Sequence, residues 1–123
     1  MAIKNLTAAD FEATVIASPI VIIDFWASWC GPCRAFAPVF DRSSQRHPDV
    51  VHAKVDTEAQ PDIAAAVEIQ AIPTIMAFRD GVLVYRRPGA MPAAALEDLI
   101  ARIKALDMAE VRDKVVAKDA PSR

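Results

Sequence analysis

The sequence predicts a mixed α/β domain in which a sheet is covered by helices on both faces. Three observations lead there. Ile20–Ala27 is a nearly unbroken apolar run, as a strand buried on both sides should be. Helical patterns separate it from later strand-like stretches. Arg79-Asp80-Gly81 joins two such stretches as a hairpin turn. A chain of 123 residues fits one domain, and its 54% hydrophobic content suffices for a single core.

Taken in order, Thr7 is placed to cap a first helix running to about Ala17, with Phe11, Val15 and Ile16 on its apolar face. Ser18-Pro19 ends it. The strand Ile20–Ala27 follows. A second helix is expected from Pro32, since proline suits the first helical position, to about His47-Pro48, with Phe36, Val39 and Phe40 turned inward. Pro38 inside it removes a backbone donor and predicts a kink. Asp49–Asp56 reads as a strand and Pro61–Val67 as a short alanine-rich helix. Thr74–Phe78 and Val82–Arg87 form the hairpin. A last helix starts near Pro92, its face marked by Leu96, Leu99, Ile100, Ile103 and Leu106. Met108, Val111, Val115 and Val116 continue that stripe weakly, so a helix to about Val116 and a frayed end to Arg123 are expected. Residues 1–106 are thus read as the domain and 107–123 as a C-terminal helical extension.

Charge narrows the function. The net charge is −2 with both signs dispersed, which gives no basic stripe for nucleic acid and no patch for a membrane surface. The start of the chain has no signal-peptide pattern, and the most apolar run contains Asp24 and is too short to span a bilayer. A cytoplasmic protein is expected, with a monomer as the default.

The chain has two cysteines, Cys30 and Cys33, three positions apart. That spacing lets a disulfide close when the pair straddles a helix start. Cys30, just before the helix, would have its thiolate favoured by free N–H groups and the helix dipole, and the thiolate is the attacking species. Cys33, one turn in, would be the more buried, resolving thiol. Arg34 adds a nearby cation or simply faces solvent, and Trp29 offers a flat apolar edge for a partner chain. The alternatives for the pair are half of a zinc site and an inert buried pair. Zinc needs four ligands, no second C-x-x-C is present, and His47 and His52 flank a turn. No metal or cofactor is expected.

Asp24-Phe-Trp-Ala-Ser-Trp-Cys-Gly-Pro-Cys-Arg34 resembles the signature of the thioredoxins, and Ala37-Pro38 continues it. Ala53-Lys-Val-Asp56, Ile72-Pro-Thr74, Phe78-Arg-Asp-Gly81 and Gly89 fall at the family's spacing, so the resemblance spans roughly Leu6 to Leu106. It implies the thioredoxin fold, a mixed five-stranded central sheet flanked by four helices. It implies a general protein-disulfide reductase acting on disulfide-containing proteins and recycled by an NADPH-linked thioredoxin reductase. The dipeptide Gly31-Pro32 resembles that of the reducing members, for which about −270 mV is typical.

Site residues follow from the same resemblance. Ile72-Pro73 is implied to be a cis peptide facing the dithiol, leaving neighbouring backbone free to pair with a substrate strand. Asp24, amid Ile22, Ile23, Phe25 and Trp26, should be desolvated with a raised pKa, and would accept the Cys33 proton; a surface bend is the alternative. Lys54 matches the partner of that carboxylate, or is an exposed strand-edge lysine. Small residues at Gly89 and Ala90 would keep a substrate groove open beside Cys30 and Pro73, ordinary loop glycine being the alternative. Two departures bear on partner preference: Glu68–Ala71 lacks the glycines common there, and Thr57 is polar where many members are apolar.

Overall fold

A computed structural model describes residues 3–119, and side chains are described through Lys114. In chain order it contains β1 (Ile3–Asn5), α1 (Phe11–Ala17), β2 (Ile20–Trp26), α2 (Gly31–Arg46), β3 (Val51–Asp56) and α3 (Pro61–Ala66). There follow β4 (Thr74–Arg79), β5 (Val82–Pro88), α4 (Ala93–Lys104) and α5 (Met108–Asp119). The five strands form one sheet in the order β1-β3-β2-β4-β5. β1 and β2 both run parallel to β3, while β4 is antiparallel to β2 and to β5.

β2 is central, and alternation along it serves two cores. Ile20 and Ile22 meet Phe36 and Phe40 of α2 and Leu96, Leu99, Ile100 and Ile103 of α4. Val21, Ile23 and Phe25 meet Leu6, Val15 of α1 and Ile63 of α3. Each large side chain buried in this way stabilises the fold by about 1.5–3 kcal/mol. His52 is fully buried against Phe40, their ring centroids 5.1 Å apart. It donates from Nδ1 to the Val50 carbonyl and accepts from the Ser43 hydroxyl at Nε2, and burial lowers its pKa, so it stays neutral.

Several local expectations are corrected. The strand β1 has only three residues, too short for alternation to register, and was not read as an element. Thr7 does not cap α1. Its N–H and hydroxyl both bond to the Asp10 carboxylate, and its carbonyl accepts from Asp10 and Phe11 N–H, which makes a turn and delays the helix to Phe11. Ile16 is not on the buried face of α1: it is 68% exposed, and Thr14 is buried with Val15 instead. β3 starts at Val51, because Val50 N–H closes a turn on the His47 carbonyl and Asp49 faces out to pair with Lys104 at 2.8 Å. Pro38 sits inside α2, which runs unbroken past it.

At the other end of the sheet, α4 stops at Lys104, leaving Leu106 half-buried beyond it. α5 begins after Asp107, whose carboxylate accepts the Glu110 N–H at 3.2 Å. Met108 is buried, and Arg112 reaches Asp80 at 3.6 Å. The Arg79 guanidinium donates to the Ile103 carbonyl at the end of α4, 2.6 Å away. The side chains of Val115 and Val116 and the end from Ala120 to Arg123 lie outside the described residues.

The β4–β5 connection is a two-residue turn with φ of 53° at Asp80 and 80° at Gly81. Positive φ at both central positions matches the right-handed twist of the strands. A Cβ at Gly81 would meet nothing within 4 Å, so only the backbone resists substitution. Gly81→Ala should therefore lower stability by about 1–2 kcal/mol. Urea unfolding should show this as a lower midpoint with an unchanged slope.

Candidate functional site

The chain leaves β2 at Trp26, turns through Ala27–Trp29 and enters α2 at Gly31, with Cys30 as the residue flanking the helix. Cys30 has extended backbone angles, and its Sγ accepts the Cys33 N–H at 3.2 Å. It stands where a serine or aspartate would ordinarily cap a helix, so a sulfur occupies the anion-favouring end of the α2 dipole. Cys30 and Cys33 are joined as a disulfide with their Cα atoms 5.2 Å apart. Both are buried, at 4% and 2% exposure, so the expected contrast in burial between them is slight.

The site is walled by three further segments. The Ile72 carbonyl lies 3.7 Å from Cys30 Sγ, and Ile72-Pro73 is a cis peptide. Pro73 offers its carbonyl to the Gly89 N–H at 2.7 Å, which draws the β5–α4 connection against the head of β4. Gly89 holds a φ of 102°, a region L side chains rarely enter. Gly89 and Ala90 are exposed beside a cavity of about 250 Å³. Trp29 projects from the loop with 66% of its surface exposed. Arg34 folds back to donate to the Ser28 carbonyl at 2.9 Å, bracing that loop. Gly31 meets no steric demand, since a Cβ there would touch nothing within 4 Å, and Pro32 sits in the first turn of α2.

Asp24 lies deeper on β2, opposite Lys54 of β3 and fully buried. Neither carboxylate oxygen has a hydrogen-bond partner among the described residues. Lys54 Nζ is 3.9 Å from one of them and 4.6 Å from the centre of the Trp26 ring. Desolvation raises the Asp24 pKa to about 6, against the opposing attraction of Lys54. The surface-bend alternative for Asp24 and the exposed-lysine alternative for Lys54 do not apply; the Lys54 side chain is 15% exposed. Trp26 is a participant that sequence reasoning missed. It faces the ammonium, and its Nε1 is buried without a partner. The register Asp24–Lys54 with Trp26 two positions on carries that signal, once the strands are known to pair.

His47 and His52 are engaged elsewhere, His47 with Glu97 at 2.9 Å. Among the described residues no group of three or more His, Cys, Asp or Glu could hold a metal ion.

Raising the Asp24 pKa from 3.8 to about 6 makes the folded state bind more protons than the unfolded state between those values, so stability falls as pH rises through that window. Above it the penalty amounts to about 3 kcal/mol. Asp24→Asn should therefore be more stable than the parent at pH 8, with the gain fading toward pH 4. Denaturant midpoints across that range check the sign.

Comparison with known proteins gives a consistent result. The thioredoxin family model matches residues 2–102. A Streptomyces coelicolor relative named as thioredoxin 2 is 50% identical over 116 residues, covering 94% of this chain and 87% of its own length. Thioredoxin 1 of Synechococcus elongatus is 43% identical over 97 residues, 77% of this chain and 91% of the relative. Among solved structures, a thioredoxin mutant from Halobacterium salinarum superposes with a TM-score of 0.79 at 28% identity, covering 85% of this chain and 92% of that one. Oxidised mitochondrial thioredoxin 3 of Saccharomyces cerevisiae gives 0.74 at 37% identity, covering 85% and 95%.

Proposed function

Since the chain belongs to the thioredoxin family and is a dithiol–disulfide oxidoreductase, we propose that Cys30 attacks and Cys33 resolves, with the remaining site residues serving those two steps. The observation that carries this reading is the position of Cys30 Sγ at the start of α2, accepting the Cys33 N–H. In the reduced protein the same donor favours a Cys30 thiolate over a thiol.

The reaction proceeds by two exchanges. Cys30 thiolate attacks one sulfur of a substrate disulfide, forming a mixed disulfide and expelling the other sulfur as a thiolate, which takes a proton from water. Cys33 then loses its proton to Asp24 and attacks Cys30 Sγ. The Cys30–Cys33 disulfide forms and the second substrate sulfur leaves as a thiolate, which takes up the proton that Asp24 releases. The substrate gains two electrons and two protons in all. A carboxyl group with a pKa near 6 can hold and release a proton near neutrality, which supports Asp24 as acceptor. Lys54 positions that carboxylate electrostatically.

Substrate backbone is taken up along Ile72 and Pro73, bounded by Trp29 on one side and by Gly89 and Ala90 on the other. The exposure of Trp29 and the Gly89–Pro73 hydrogen bond support this. Substrates are disulfide-bearing proteins, and an NADPH-linked thioredoxin reductase returns Cys30 and Cys33 to the dithiol. The redox unit ends near Leu106, with α5 as an extension. The family match ending at residue 102 and the break between α4 and α5 support that boundary. A monomeric, cytoplasmic protein completes the proposal; a reducing compartment suits a working dithiol. Among the described residues no helix is long and apolar enough to cross a membrane.

Insulin reduction with thioredoxin reductase and NADPH tests the assignment. Cys30→Ser should lower turnover by roughly a hundredfold or more. Cys33→Ser should retain the attack and accumulate mixed disulfides, seen as added mass on the intact protein. Absence of adducts in Cys33→Ser, or adducts in Cys30→Ser instead, would reverse the thiol roles.

A further inference from the structure

The redox face is assembled from three stretches without a charged side chain: Phe25–Cys33, Ile69–Phe78 and Pro88–Leu96. The six residues that flank them are Asp24, Arg34, Glu68, Arg79, Arg87 and Glu97. Asp24 is buried beside Lys54, Arg34 is bonded to the Ser28 carbonyl, Arg79 to the end of α4, and Glu97 to His47. Glu68 lines a groove on the α1–α3 side of the sheet with Phe11 and Met76. Arg87 is exposed and, of these six, shares with Glu68 alone the lack of an ion pair or side-chain hydrogen bond among the described residues. Unlike Glu68, it does not line the α1–α3 groove.

Its placement is specific. Arg87 pairs with Ile75 in the β4–β5 register, which puts it on the α2–α4 side, the side of the sheet that carries the dithiol helix. It lines the cavity of about 250 Å³ with Gly89, Ala90 and Met91, and no carboxylate lines that cavity. The neighbouring first turn of α4 has no acidic residue either. Across the site Asp56 ends β3, its carboxylate accepting the Glu58 and Ala59 N–H groups beside Lys54, and Thr57 N–H bonds to the Trp26 carbonyl. In the strand order, β3 and β5 lie on opposite sides of the β2–β4 pair from which the site is built.

We propose that Arg87 is a specificity-determining residue: it favours substrates with an acidic residue on one flank of the disulfide cysteine. This rests on the reading that Pro73, Gly89 and Ala90 carry the substrate strand. The planar guanidinium matches a carboxylate in geometry as well as charge. On a floor free of charge, a single rim charge acts on encounter and register more than on total affinity.

The test uses disulfide-bonded peptides that differ at one position, carrying Asp, Asn or Lys either before or after the cysteine. kcat/KM is measured for the parent, Arg87→Gln and Arg87→Lys, at low and high salt. The readout is the Asp-to-Lys ratio within each variant, so a general change in activity cancels. The parent should prefer Asp over Lys on one flank by roughly fivefold, with Asn between. Arg87→Gln should bring the ratio close to one, Arg87→Lys should keep part of it, and salt should compress it. A ratio unchanged in Arg87→Gln, or an equal preference on both flanks, overturns the proposal. Failure of the parent to reduce any of the peptides would instead overturn the reductase reading beneath it.

Discussion

Both hydrogen-bonding edges of β2 are occupied, by β3 on one side and β4 on the other, and both of its faces are covered by helices. Almost everything else in the molecule is a consequence of that enclosure. A strand closed on four sides must be apolar along its length, so any polar residue within it has no access to water and few partners. It must also deliver its last residue to a fixed point in space. That point is where α2 begins, and Cys30 is the residue found there.

The dithiol therefore borrows its geometry from the core and its electrostatics from the helix. Phe36 and Phe40 hold α2 against the sheet, which sets the axis of the dipole; the cysteine needs only to occupy the flanking position. The opposite wall is set by the head of β4, where Pro73 is tied to Gly89 by one backbone hydrogen bond. Two rigid supports thus meet across a shallow seam, and the exposed ring of Trp29 stands at its edge. On the proposed reading, such a seam takes up extended backbone rather than any particular side chain, as suits an enzyme acting on disulfide-bearing proteins.

Much of this was legible in the residues. The apolar run of β2, the Asp80-Gly81 turn and the stripe of Leu96, Leu99, Ile100 and Ile103 each carry a local physical signal, and the elements formed where those signals lie. The dithiol was legible because its chemistry depends on spacing along the chain. The misreadings have a common origin in contacts between distant or competing groups. β1 exists through its pairing with β3, which no three-residue pattern can announce. Thr7 lost its capping role because Asp10 offered it a better acceptor in a turn. Trp26 looked like another apolar strand residue, and only the register beside Lys54 reveals the ring beneath the ammonium. The weakening of the stripe after Leu106 was legible, but the helix break itself depends on the Asp107 cap at the start of α5.

Asp24 has a consequence beyond the reaction. A carboxylate without a hydrogen bond in the middle of the central strand is a standing disadvantage to the folded state, which the attraction of Lys54 offsets only in part. Selection for thermal endurance alone would remove it early, through changes as small as a single amide substitution. On the proposed role of Asp24 as proton acceptor, its presence separates two pressures that usually act together on buried residues: a core position under the rule of activity, inside a core otherwise under the rule of stability. Libraries screened for folded protein would drift away from aspartate there, whereas libraries screened for turnover would hold it. The identity of this one buried side chain thus records which of the two pressures a sequence has experienced.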